Sequence, residues 1–217
     1  IGMGGAVYYS INMAEKKQKR ARDFIATSRW LLILISIVVT VIIHFEASDM
    51  LSLLGAEGVI LDNATDYIKV IALGAILQVL GTGLIPFMRN YGGSFWSMFA
   101  MMGGFVTNII LDFIMVWIYG WGMKGAAAAT IISQGVTVAI AIIYELCMKK
   151  FYVKVSLSEA KKICGPIFKV GLAPFGLALT PNISLVFINR FSASYGGEKA
   201  IATYACISYI ICIIYLI

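Results

Sequence analysis

Three polar residues lie where the chain is otherwise apolar. Asp112 sits seven residues from the end of the run Ser94 to Tyr119, which is long enough to cross a bilayer, and it is the only carboxylate well inside any such run. A carboxylate in lipid is costly unless it binds a cation, takes up a proton or meets a partner, so the position reads as a functional site. Asn108 lies four residues earlier and shares its helix face. Thr130 lies near the start of the next run, which returns from the same side of the membrane. At about 1.5 Å per residue, Asp112 is roughly 10 Å and Thr130 roughly 8 Å below the outer ends of their helices. An amide oxygen, a carboxylate and a hydroxyl at matched depth supply hard oxygen donors for sodium, or a protonatable carboxylate with hydrogen-bond partners. Three donors do not complete a dehydrated sodium site; backbone oxygens, water or further helices must supply the rest. The same residues also admit a structural reading, in which Asp112 ties helices together and Thr130 bonds its own helix backbone. Residue chemistry alone leaves the two open.

The elements that position these residues are predicted from hydropathy. The 217 residues are 60% hydrophobic and 13% charged, values that exclude an ordinary water-soluble domain. Apolar runs fall at Ala26 to Phe45, Tyr67 to Met88, Ser94 to Tyr119, Gly125 to Met148, Ile163 to Asn189 and Ala200 to Ile217, with a shorter one at Ile1 to Met13. The expectation is an all-α polytopic membrane helix bundle. The first run lacks the basic leader and small-residue cleavage site of a signal peptide. The last stops inside its own apolar stretch, so the chain is expected to be an internal fragment of a larger membrane protein.

Basic residues set the orientation. Lys16, Lys17, Lys19, Arg20, Arg22 and Arg29 are placed in the first connection, Arg89 in the third, and Lys149, Lys150, Lys154, Lys161, Lys162 and Lys169 in or beside the fifth, 13 of the 17 in all. Alternate connections are therefore cytoplasmic. The others hold Lys69, Lys124, Arg190 and Lys199, and the long one also carries Glu46, Asp49, Glu57, Asp62 and Asp66. A net charge of +6 distributed in this way follows topology and attraction to anionic lipid, and nucleic acid is not expected as a partner.

Other residues read more plainly. Cys147, Cys164, Cys206 and Cys212 lack ligand spacing and are expected to pack as small hydrophobes. His44, at an outer helix end, has no metal-binding companions. Trp96, Trp117, Tyr119 and Trp121 suit membrane interfaces. Gly81, Gly83 and Pro86 in one helix, and Pro174 and Pro181 in another, are expected to bend them. Phe151 to Lys162 is expected to be a linker followed by a short amphipathic surface helix, capped near Ser156 or Ser158. No paired carboxylates, His/Cys constellation or activated serine shares a common depth, so the chain is not expected to be an enzyme or to carry a cofactor.

Three stretches resemble a known family. Asn90 to Gln134 (NYGGSFWSMFAMMGGFVTNIILDFIMVWIYGWGMKGAAAATIISQ) resembles the fifth and sixth helices of multidrug and toxic compound extrusion (MATE) transporters. The preceding LGTGLIPFMRNYG resembles their fourth helix entering its cytoplasmic loop, and GGAVYYSINMAEKKQKRA resembles the end of their second helix and the basic loop after it. The resemblance implies a twelve-helix fold of two six-helix lobes. Residues 1–148 would be most of the first lobe, from the end of helix two to helix six; 149–162 the cytoplasmic inter-lobe linker; and 163–217 the start of the second lobe, helix seven and part of helix eight.

It also implies a multi-pass cell-membrane antiporter that exports organic cations or other amphiphiles in exchange for sodium ions or protons. Its partners would be the bilayer, small amphiphilic substrates and the remaining helices of the same polypeptide. In one prokaryotic branch an Asn and an Asp four apart on helix five and a Thr on helix six join a helix-one Asp around a cation. Asn108, Asp112 and Thr130 match the first three. A helix-seven Glu used by another branch has no counterpart in Ile163 to Asn189, whose polar groups include Thr180, Asn182, Ser184 and Asn189, and this favours coupling through the first lobe. The alternatives are a flippase for a lipid-linked precursor, which would need basic residues at mid-membrane depth, and a non-transporting scaffold, which would bury Asp112 with no solvent path.

Overall fold

The computed structural model describes residues 1–53 and 58–215; side chains at 53, 59 and 60 and at many positions from 189 onward lie outside the description. Glu57, Asn189, Lys199, Cys206 and Cys212 are affected. The described residues are all-α: α1 (Gly2–Ala14), α2 (Gln18–Leu53), α3 (Gly58–Leu73), α4 (Ala75–Asn90), α5 (Ser94–Asp112), α6 (Gly122–Cys147) and α7 (Leu157–Tyr215), with a π-helical stretch Phe113–Ile118 continuing α5. The stretches Gln18–Ser52, Ser94–Ile118, Gly122–Cys147 and Leu157–Ser192 are each long and apolar enough to cross a membrane, and α3 with α4 forms a bent fifth candidate. The chain is a multi-pass membrane protein. Phe105 and Trp117 are 70% and 80% exposed, a cost in water but a match to lipid tails.

Several helices outrun their apolar stretches. Lys16 adopts a left-handed backbone (φ 60) after α1, and α2 begins at Gln18. Lys19, Arg20, Arg22 and Arg29, expected in a connection, therefore lie on α2, and Arg29 is 7% exposed. Glu46 and Asp49 likewise extend α2, and Asp62 and Asp66 lie on α3. A helix is not obliged to stop at a hydropathy boundary, because charged residues with long side chains propagate it well.

The bend within Tyr67 to Met88 is at Gly74, where α3 and α4 meet at 56°. Helix α4 runs on through Pro86, the position expected to bend. The Gly74 N–H donates to Ile71 O at 2.9 Å, a tightened turn, and the Ile131 side chain occupies the space a Cβ would take. α7 continues through Pro166, Pro174 and Pro181 and breaks at Gly197 (φ 60, ψ −161). Its first turn starts directly after the linker, so no separate surface helix forms; the Glu159 N–H reaches Ser156 Oγ at 3.4 Å.

Tight packing gathers at the end that carries most of the basic residues. Ala6, Ile25, Phe87, Met88, Tyr91, Ala141 and Tyr144 form one buried cluster, while Phe24, Ile163 and Ile167 seat the start of α7 on α1 and α2. Lys150 lies 4.9 Å from the centre of the Tyr91 ring, and Trp30 donates to Val153 O at 3.0 Å, so the expected cytoplasmic connections share one end of the bundle. Lys124 pairs with Asp66 at 3.0 Å at the other end. There, positive φ at Gly120 (65) and Gly122 (54) turns the chain from α5 into α6, in a conformation costly for residues with a Cβ.

α5 and α6 cross closely at Gly104. A Cβ there would collide with Thr137 Oγ1 and come within 3.1 Å of Ser133 O. Gly104→Val should destabilise the complete protein by about 2 kcal/mol, read as a lowered unfolding midpoint in detergent. An unchanged midpoint would contradict the close crossing.

Candidate functional site

A cavity of about 450 Å³ opens among α1, α4, α5 and α6. Its polar side comes from Asn108 on α5 and from Thr130, Ser133, Gln134 and Thr137 on α6; its apolar side includes Met3, Ile85, Met101 and Phe105. The α6 residues recur at helical spacing, so one face of an apolar helix carries a polar stripe. That spacing was visible in the sequence, where only Thr130 drew notice. Among the described residues Arg89 is the one charged group lining it, at the end of α4 near the basic connections.

The hydroxyls in this stripe donate to their own helices: Thr130 to Ala126 O at 3.0 Å, Ser133 to Thr130 O at 2.7 Å and Thr137 to Ser133 O at 3.2 Å. Each proton is thereby used locally, while the oxygen retains lone pairs that a cation can use. The two readings of Thr130, helix back-bonding and ligation, are compatible.

Asp112 does not line the cavity. It lies one turn beyond Asn108, where α5 widens into the π-helix. It is half-buried, and its Oδ1 is enclosed without a hydrogen-bond partner among the described residues. A partnerless carboxylate oxygen in an apolar bundle is a costly arrangement of the kind retained at proton or cation sites. The wide turn is closed by Tyr119 N–H to Ile114 O at 2.9 Å, and π-helical turns are frequent at functional sites. Apolar periodicity gave no sign of it. Among the described residues no three His, Cys, Asp or Glu side chains cluster as a metal site.

Among the described residues the most deeply buried carboxylate is Glu145, three residues from the end of its apolar run and fully enclosed. It pairs with Arg29 Nη2, and Arg29 Nη1 donates to Tyr152 O while its guanidinium lies 4.3 Å from the centre of the Phe151 ring. The pair joins α2, α6 and the following linker. Sequence reading missed it, although an Arg and a Glu each about one turn inside a run at the same end of the bundle are a matched signal. Burial, then the neighbouring Glu145, pushes the Tyr91 phenol above its usual range and keeps it protonated. Cys147 and Cys164 are free thiols, and His44 is exposed with its ring 5.6 Å from Phe45. Trp96, Trp117, Tyr119 and Trp121 are all exposed, as interfacial side chains are.

The MatE family profile matches residues 1–114, more than half of the chain. The chain belongs to the MatE family. A curated relative, the multidrug export protein MepA of Staphylococcus saprophyticus, is 32% identical over 207 residues, covering 94% of this chain and 46% of the relative. Among solved structures, an inward-facing multidrug resistance MATE transporter of the MOP superfamily matches at a TM-score of 0.84 and 26% identity, over 94% of this chain and 47% of that one. An outward-facing structure, also of a MATE transporter of that superfamily, matches at 0.82 and 25% identity, over 98% and 48%. This MatE chain thus spans about half the length of the relatives it matches.

Proposed function

We propose that the complete protein carrying this chain is a multidrug efflux antiporter, exporting organic cations or other amphiphiles in exchange for sodium ions or protons. Membership of the MatE family and similarity to a multidrug export protein support the substrate class. The observation that carries the coupling is the partnerless Asp112 oxygen, one helical turn from a cavity lined by Asn108 and Thr130.

In this reading residues 1–148 are most of the first of two six-helix lobes, 149–162 the linker and 163–217 the start of the second lobe, and the basic end faces the cytoplasm. Entry of a cation or proton at Asp112 alters charge and hydrogen bonding between α5 and α6, and the balance between inward- and outward-open states shifts. A flippase for an anionic lipid-linked precursor is less well supported, because the cavity has one cation, Arg89, at its basic end.

The test is ethidium efflux from proteoliposomes of the complete protein under an imposed sodium gradient and, separately, a pH gradient. Efflux under one of them establishes the antiporter and names the ion. No efflux under either, with the protein shown to be folded, would overturn the proposal.

A further inference from the structure

The seam between α2 and the chain leading into α7 holds two consecutive cavities. The outer, about 720 Å³, is lined by Lys19, Arg22 and Asp23 of α2 and by Phe151 to Lys154 of the linker. The next, about 390 Å³, continues along both segments and is lined by Thr27, Trp30, Leu31, Leu34, Val155 and Leu157, with Lys161 at its rim. A charged cavity is thus followed, along the same two segments, by an apolar one at the end of a membrane-spanning helix.

The charge balance around this mouth is positive. Lys19, Arg22, Lys154, Lys161 and Lys162 stand against Asp23 and Glu159. Glu159 is taken by Lys162 at 3.0 Å, leaving Lys154 and Lys161 without an ion-pair partner among the described residues. Thr27, in the groove wall, is 2% exposed and its Oγ1 has no hydrogen-bond partner among the described residues, whereas Thr82, Thr107 and Thr130 each bond the carbonyl four residues back. A buried hydroxyl without this internal bond is one that a ligand oxygen placed beside it would satisfy.

We propose that this seam binds one anionic phospholipid, its phosphate between Lys154 and Lys161, its ester oxygens at Thr27 and an acyl chain along Trp30, Leu31 and Leu34. The inference rests on the basic end being cytoplasmic, which the antiporter reading shares, and not on export itself. A lipid so placed touches α2 of the first proposed lobe, the linker, and the start of α7, which leads into the second.

The test uses the complete protein in detergent, titrated with dioleoylphosphatidylglycerol or dioleoylphosphatidylcholine and read by native mass spectrometry. The phosphatidylglycerol should bind one to a protein and in preference to phosphatidylcholine. Binding should weaken about thirtyfold in the Lys154→Gln/Lys161→Gln variant and about fivefold in Thr27→Val, which keeps the side-chain shape and removes the hydroxyl. Inorganic phosphate should fail to displace the lipid, since it has nothing to place in the groove. Equal retention of the two lipids, undiminished binding in either variant, or displacement by phosphate would each overturn the proposal. None of these readings depends on transport, so this site and the antiporter fail separately.

Discussion

Asp112→Asn should abolish sodium- or proton-driven export by the complete protein, to the level of protein-free vesicles, while leaving the protein folded. The substitution preserves size and one acceptor oxygen but replaces the other with an NH2 donor and removes the carboxylate's charge. Its environment makes the effect specific: the Asp112 Oδ1 is enclosed without a hydrogen-bond partner and Asp112 is in none of the ion pairs among the described residues, so neutralising it breaks no such pair. An amide can still accept a hydrogen bond from a neighbouring helix; it cannot balance a sodium ion or carry a proton. Export should be compared under both gradients, with the unfolding midpoint as the control. Retained export in a stable variant would remove Asp112 from the coupling mechanism, and a large fall in midpoint would favour the structural reading of that residue.

The second large effect is on stability. Arg29 and Glu145 are both buried and paired, so Arg29→Ala or Glu145→Ala leaves an uncompensated charge and should cost about 3–5 kcal/mol in the complete protein. The double change Arg29→Met/Glu145→Leu removes both charges, keeps apolar volume and should cost much less than the two singles combined. Arg29→Ala has a further consequence, because Tyr152 O loses its donor and Phe151 its cation. The linker should then be cut faster by protease between Lys150 and Lys154. Unfolding of the unsubstituted protein, Arg29→Met, Glu145→Leu and the double variant in detergent, followed by circular dichroism, closes the cycle. Additive losses would show that the two side chains are not energetically coupled.

These two sites differ in how far the sequence exposed them. Asp112 stood out because lipid makes one carboxylate in a long apolar run improbable by composition alone, and Asn108 and Thr130 followed from helical spacing and matched depth. Arg29 and Glu145 were hidden by proximity to run ends, where charges are usually solvated; only their pairing across from α2 to α6 shows that they are enclosed. The bend at Gly74 was hidden for a related reason. Proline announces itself as a missing hydrogen bond, yet α4 accommodates Pro86, and the bend falls where Ile131 from another helix takes the place of a side chain. The π-helix at Phe113–Ile118 is set by backbone hydrogen bonding, which hydropathy does not encode. The helical class and the membrane setting needed only local information, whereas the bend and the buried pair depend on contacts between distant segments.

The most direct test of ion-coupled exchange is to load proteoliposomes of the complete protein with substrate, impose no ion gradient, and record sodium and proton uptake as substrate leaves. Uptake of one of these ions in step with substrate exit, absent in Asp112→Asn, is the predicted result. Substrate exit at full rate with neither ion moving would contradict antiport and the role given to Asp112.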